Sequence, residues 1–197
     1  MLTGIITVFW AMRGGGAGSW GVIISATVRT YPSFNVTAHS VNINASLSSA
    51  DSLMTLHARH IFDWDSDRAG QYFYVFNDDS AGPDKAVLRM SLITFFANKT
   101  SQEAEAAMAP LLNDSRNAGF IVWQEQAETT IVNELLFEED VVVGTQDILG
   151  SRLIPASAYQ NNPDAIGTGY AGLINGGCKQ YVTSHHEMLL IDQYPYL

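Results

Sequence analysis

Bulky apolar residues alternate with small or polar ones along residues 22–31 and again along residues 34–43. Both stretches are rich in β-branched side chains, and a period of two is typical of a strand with one buried face. Residues 72–76 and 87–96 are also β-prone and flank a turn-rich loop, which predicts a hairpin. Residues 120–127 predict a further strand.

Helical spacing follows two candidate caps. Ser48 and Ser49 precede a segment in which apolar residues and histidines line one face: Leu53, Leu56, His57, His60 and Ile61. Thr100 and Glu103 have the spacing of a capping box, which predicts a helix that closes between residues 113 and 119.

Two weaker helical patterns follow in the second half of the chain. Residues 132–137 predict a short helix, and residues 155–173 predict a helix with interruptions at Pro163, Gly167 and Gly169. The order of strands and helices predicts an α+β fold in which helices cover one face of an antiparallel sheet.

The composition of the chain argues against several functions but does not assign one. The chain has 197 residues and a formal net charge of −10, which disfavours binding to nucleic acid. A single cysteine, Cys178, excludes an internal disulfide and a cysteine-rich metal site. No apolar run approaches the roughly 20 residues of a membrane-spanning helix. Glycosylation sequons fit a parent protein that passes through a secretory pathway: Asn35, Asn44, Asn98 and Asn113.

Glycines cluster between residues 14 and 21, at Gly14, Gly15, Gly16, Gly18 and Gly21. A dinucleotide-binding fold would need a strand before this loop and a helix after it, but a predicted strand follows instead. Kinase and Walker signatures are likewise missing from the sequence. One interpretation is a cofactor that lies directly against main chain without Cβ atoms and uses its N–H donors. The other is a tight turn with bulges.

Residues 9–32, FWAMRGGGAGSWGVIISATVRTYP, resemble the segment that closes the FAD-binding domain of berberine-bridge-enzyme-like oxidases. These oxidases lie within the vanillyl-alcohol-oxidase superfamily, whose flavin domain is of the PCMH type. The resemblance implies that residues 1–32 are the C-terminal end of that domain and that residues 33–197 are an incomplete, antiparallel-sheet substrate domain. It also implies FAD as the cofactor, held by Arg13, Gly14, Gly15, Gly16, Gly18, Ser19, Gly21 and Val22.

The resemblance further implies an FAD-linked oxidase that acts on an alcohol, a sugar or a related secondary metabolite. Hydride would pass from this small-molecule substrate to flavin N5, and the electrons would then pass to O₂. Family segments expected on both sides are missing from this sequence, so the alternative is a truncated, non-catalytic fragment without bound FAD. No catalytic residue is assigned. Tyr72 and Tyr74 are predicted to share one sheet face, either beside the substrate or in ordinary aromatic packing.

The other polar motifs of the sequence do not indicate a metal site. Residues 63–67 begin like a calcium loop, but Arg68 stands where glycine should turn the chain and Tyr74 where a bidentate glutamate is needed. His57 and His60 have metal-ligand spacing without a third ligand nearby in sequence, which favours two half-buried, hydrogen-bonded histidines. His185 and His186 do not form a zinc motif. The sequence therefore predicts no metal site.

Overall fold

The computed structural model describes residues 11, 21, 22, 24, 25, 27, 29–78, 87–136, 153–175 and 181–184. The chain divides into two compact units, Met1–Pro32 and Ser33–Leu197. This boundary coincides with the one drawn from the sequence. The assignment of the first unit to a flavin domain and the second to a substrate domain stays a prediction.

The strand expected at residues 22–31 is not found among the described residues of the first unit. The described residues between positions 21 and 31 have no regular secondary structure, and the side chains of Val22 and Ile24 are 92% and 96% exposed. A strand exists only when its N–H and C=O groups pair with a neighbour. Alternating sequence alone could not supply that neighbour, so this prediction was wrong.

The second unit contains one antiparallel sheet. Its strands are β1 (Asn35–Ala45), β2 (Gly70–Asp78), β3 (Val87–Ala97), β4 (Ile121–Ile131) and β5 (Tyr181–Ser184). Their order across the sheet is β4-β1-β3-β2-β5. The predicted hairpin is present, because β2 pairs directly with β3 from Gly70 opposite Phe95 to Asp78 opposite Val87. The α+β fold class is therefore confirmed.

The helices are α1 (Ala50–His60), α2 (Ser101–Asn117), α3 (Val132–Leu136), α4 (Ala156–Asn161) and α5 (Pro163–Asn175). The capping box at the start of α2 is formed as predicted. The serine cap of α1 is not, because Ser49 makes no side-chain bond to the helix and instead shares a hydrogen bond with the Ser46 hydroxyl. None of the helices in the described ranges is long and apolar enough to cross a bilayer.

Pro163 separates α4 from α5, but the expected breaks at Gly167 and Gly169 are absent because both glycines lie inside α5. At Gly167 a Cβ atom would lie 2.7 Å from the backbone nitrogen of Thr55, so glycine allows α5 to approach α1. The glycine at position 167 therefore serves close helix packing and not chain reversal.

The core lies between one face of the sheet and the helices. Alternate strand residues such as Ile43, Phe73 and Leu92 are fully or almost fully buried and cluster with helix residues such as Leu53 and Met108. Each fully buried side chain of this kind contributes about 1.5–3 kcal/mol to folding. The sheet therefore has a helix-covered face and a second face, which carries the intervening residues.

Candidate functional site

The second face of the sheet carries the intervening residues of the four long strands. They include Ala38, Ser40, Asn42, Asn44, Tyr72, Tyr74, Phe76, Asp78, Arg89, Ser91, Ile93, Phe95, Ile121, Trp123, Gln126 and Glu128. Every one of these residues is half-buried or exposed. The face therefore combines aromatic rings with amides and hydroxyls, a mixture typical of ligand-binding surfaces.

The two tyrosines lie on this face, as the strand pattern predicts. Tyr72 is 43% exposed and packs edge-to-face against Phe95, with ring centroids 6.3 Å apart. Tyr74 stands opposite Ser91, two residues farther along the same strand. Both phenol groups are thus carried by a rigid strand, next to polar residues of β3.

One arginine side chain, Arg89, packs against two aromatic rings of this face. The Arg89 guanidinium lies 4.8 Å from the centre of the Trp123 ring and 5.7 Å from that of Phe76, and it is ion-paired with Asp78. Trp123 in turn donates its indole N–H to the Asn44 amide oxygen at 3.1 Å. The positive charge is therefore partnered within the face, by one carboxylate and two π-systems.

Beside this group, a polar cavity of about 410 Å³ opens between β1, β3 and β4. It is lined by Ser40, Val41, Asn42, Ser91, Leu92, Ile93, Gln124, Glu125 and Gln126. Ser91 donates to the Asn42 side-chain oxygen at 2.5 Å, and Asn42 donates to that of Gln124 at 2.8 Å. Hydrogen bonds thus fix the side chains at its floor.

The helix-covered face carries a buried polar row. His57 is hydrogen-bonded to the Gln71 amide oxygen at 2.7 Å, and Gln71 donates to Thr94 at 2.7 Å. His39, cross-strand from Thr94, is completely buried, and its Nε2 lies 3.5 Å from a carboxylate oxygen of Glu125, beyond a good hydrogen bond. Burial lowers the pKa of His39, and Glu125 opposes this only in part.

His60 has partners on both ring nitrogens, with Asp63 at 2.6 Å and Asp114 at 3.1 Å. His57 and His60 are both hydrogen-bonded, as the sequence favoured, but only His60 is half-buried, because His57 is almost completely buried. Within the described ranges, no three histidine, cysteine, aspartate or glutamate side chains come together in a way that could hold a metal ion. His185 and His186 lie outside the described residues.

Most of the predicted cofactor-binding residues lie outside the described residues: Arg13, Gly14, Gly15, Gly16, Gly18 and Ser19. Gly21 and Val22 are described. Gly21 has a φ of 140°, and a Cβ atom built there would meet no atom within 4 Å. The cofactor assignment of the whole set stays a prediction.

The chain is similar in sequence to FAD-linked oxidoreductases of fungi. It is 28% identical over 174 residues to FAD-linked oxidoreductase ZEB1 of Gibberella zeae, a match that covers 81% of this chain and 28% of that protein. It is 30% identical over 115 residues to FAD-linked oxidoreductase asqF of Emericella nidulans, covering 55% of this chain and 19% of that protein. No model of a known protein family matches the chain.

The fold is similar to that of a solved flavoprotein, the VAO-type MtVAO713 from Myceliophthora thermophila. The TM-score is 0.52 at 22% identity, over 81% of this chain and 30% of that one. The predicted resemblance to FAD-linked oxidoreductases is confirmed in sequence, and the fold resembles that of a VAO-type flavoprotein. The chain spans less than a third of the length of each of these three proteins.

Sequence reasoning placed Tyr72 and Tyr74 correctly but missed the cavity and its floor. Asn42, Ser91 and Gln124 lie on three strands that are distant in sequence, and strand pairing alone brings them together. The only local signal was the polar side chain at alternate positions of β1, which marked one face of that strand as non-core.

Proposed function

We propose that this chain is part of an FAD-dependent oxidase that acts on an alcohol, a sugar or a related secondary metabolite. The observation that supports this proposal is the similarity to an FAD-linked oxidoreductase over 81% of the chain. The dense match at residues 9–32 to berberine-bridge-enzyme-like oxidases supports the finer assignment. FAD, when bound, supplies the hydride acceptor at N5 and passes the electrons to O₂.

The two units have different tasks in this proposal. Residues 13–22 hold the cofactor: glycines leave the main chain bare, and backbone N–H groups donate to it. The 92% exposed Val22 and 96% exposed Ile24 fit a segment that meets a further apolar surface of a larger flavin domain.

The second face of the sheet binds the substrate. Tyr72 and Tyr74 present phenolic oxygens that can accept a hydrogen bond from the substrate hydroxyl and orient it. The half-buried aromatic rings around them supply apolar contact and exclude water.

Cofactor binding is tested with the purified chain and added FAD. The chain is passed through a desalting column, and the visible flavin spectrum of the protein fraction is recorded. A retained, perturbed spectrum is expected, together with its loss in the double variant Gly15→Val/Gly16→Val. Gly172→Ala, an exposed change on α5, serves as the control and should retain flavin.

The second candidate is a folded fragment that does not hold FAD. It is favoured by the small share, 28% or less, of its sequence relatives that the chain spans. Complete loss of flavin on desalting, with a cooperative unfolding transition, would establish this candidate in place of the first.

A further inference from the structure

The pairing of β1 with β4 is broken by a bulge at the edge of the cavity. Ser40 is opposite Gln126, but Asn42 is already opposite Trp123, so Gln124 and Glu125 together face one residue of β1. Gln124 has a φ of 50°, in the left-handed region that side chains other than glycine, asparagine and aspartate seldom adopt. Bulges of this kind re-aim a side chain and are frequent beside active sites.

The bulge gives the Gln124 side chain a defined direction. Its amide oxygen accepts from Asn42, whose own oxygen accepts from Ser91. The donors therefore run in one direction, from Ser91 through Asn42 to Gln124. The Gln124 amide nitrogen, with two N–H groups, is left without an acceptor among the residues that the structure describes.

The lining defines the chemistry of a ligand. Neutral amides and hydroxyls predominate, and the cavity has no lysine, arginine or histidine among its described lining residues. An anionic group would meet no cation among these lining residues, and the Glu125 carboxylate is already ion-paired with Arg116 of α2 at 2.9 Å. A flat apolar group would leave the amides unpaired, which costs binding energy. A neutral group with several hydroxyls satisfies both conditions.

We propose that the cavity binds a hydroxyl-rich, sugar-like portion of a ligand, and that Gln124 positions it by donating its amide N–H to a ligand oxygen. Identification of that ligand as the enzyme's substrate rests on the proposed function, whereas the binding itself does not require FAD. Among the substrate classes of the proposed function, this favours a sugar over an apolar alcohol.

The test uses the full 197-residue chain. Methyl β-D-glucopyranoside, benzyl alcohol and sodium benzoate are titrated separately into ¹⁵N-labelled protein, and the amide signals are followed by NMR. The glucoside is expected to bind and to shift the side-chain amide signals of Gln124 and Asn42. Neither of the other two compounds should shift them.

Two variants separate the side chain from the bulge. Gln124→Gly removes the donor but suits the positive φ, so the bulge and the melting temperature should be preserved. Gln124→Glu keeps the shape and replaces the donors with an acceptor. Each is expected to weaken glucoside binding about tenfold, the value of roughly one hydrogen bond. Gln102→Glu, the same exchange at an exposed glutamine of α2 outside the cavity lining, should leave the affinity unchanged.

Unchanged affinity in a folded Gln124→Gly variant would overturn the proposal. So would benzyl alcohol or benzoate shifting the cavity amides while the glucoside does not, and so would failure of the glucoside to bind the folded chain. A chain that binds the glucoside but not FAD contradicts the proposed function and leaves the cavity assignment standing. A chain that retains FAD but does not bind the glucoside contradicts the cavity assignment and leaves the proposed function standing.

Discussion

Gly167 of α5 lies so close to Thr55 of α1 that a Cβ atom at position 167 would come within 2.7 Å of the Thr55 backbone nitrogen. The same Cβ would lie 2.8 Å from the backbone oxygen of Asp51. These contacts involve main-chain atoms, so no side-chain rotation can relieve them. The spacing of the two helices therefore depends on the absence of one methyl group.

We expect Gly167→Ala to lower the free energy of unfolding by about 1–3 kcal/mol, because overpacking outweighs the higher helix propensity of alanine. Urea denaturation measures this change. The matched control is Gly172→Ala in the same helix, where a Cβ meets no atom within 4 Å and stability should rise by up to about 1 kcal/mol. Thr55→Ala removes the hydroxyl that the new Cβ would also meet, so adding it should rescue Gly167→Ala only in part, and a full rescue would contradict the backbone clash.

His39 makes stability depend on pH. Its pKa in the folded protein is lowered by burial, with Glu125 and Glu105 as the opposing charges, so the unfolded chain binds the proton more tightly. The contribution of the neutral, buried His39 to the free energy of unfolding is fully present above the unfolded pKa of about 6.5 and is lost as pH falls below that value. Melting temperatures between pH 7.5 and pH 5 should therefore fall less in His39→Leu than in the unsubstituted protein.

Glu125→Gln provides a companion to this measurement. It removes the carboxylate that raises the pKa of His39, so the folded pKa should fall further and the acid-induced loss of stability should extend to lower pH. Identical pH profiles for His39→Leu and the unsubstituted protein would contradict the assignment.

The capping box fixes the start of α2. The Thr100 hydroxyl accepts from the Glu103 backbone N–H at 3.3 Å, and the Glu103 carboxylate accepts from the Thr100 backbone N–H at 2.8 Å. Thr100→Ala should cost about 1 kcal/mol in urea denaturation. Gln102→Ala, an exposed change in the same turn, is the control and should be nearly neutral.

The stabilisation that this capping box provides depends on pH. Hydrogen bonds from the backbone and side chain of Thr100 lower the pKa of Glu103, so its contribution is present above the pKa of the unfolded chain and is lost as pH falls through the folded value. The stability difference between the unsubstituted protein and Glu103→Gln should therefore shrink in acid. A difference that grows in acid would contradict the box.

Pro110 lies inside α2, on the side of the helix that faces solvent. It is exposed and lies inside the helix, where it has no N–H to donate to the carbonyl of Ala106. Pro110→Ala should raise the free energy of unfolding by about 1–2 kcal/mol, since regained helix propensity exceeds the lost restriction of the unfolded chain. Asn113→Ala, exposed on the same helix, should change stability by only a few tenths of a kcal/mol. Lower stability in Pro110→Ala would mean that α2 must bend at this residue.

Local signals in the sequence predicted the elements well. Period-two alternation identified β1, and the spacing of Thr100 and Glu103 identified the start of α2, because both depend on residues only a few positions apart. The glycines of α5 were misjudged for the opposite reason. Whether Gly167 breaks a helix or permits contact depends on Thr55, more than a hundred residues earlier.

The candidate site was harder to predict than the fold. That Tyr72 and Tyr74 share a face follows from strand geometry alone. The bulge at Gln124 follows from a register between β1 and β4 that no short segment encodes, and its side-chain bond to Asn42 depends on that register. The resemblance predicts FAD as the cofactor, whereas the cavity is visible only in the folded structure.

The sheet order β4-β1-β3-β2-β5 also governs when this protein can assemble. Strand β1 emerges first, yet its neighbours are β3 and β4, and Asn35 finds its partner only in Ile131. During synthesis β1 therefore stays unpaired until α1, β2 and β3 have been made, and its other edge stays unpaired until α2 and β4 have followed. Contacts so distant in sequence slow folding. We expect chains arrested before residue 131 to need a chaperone or to aggregate through the waiting strand.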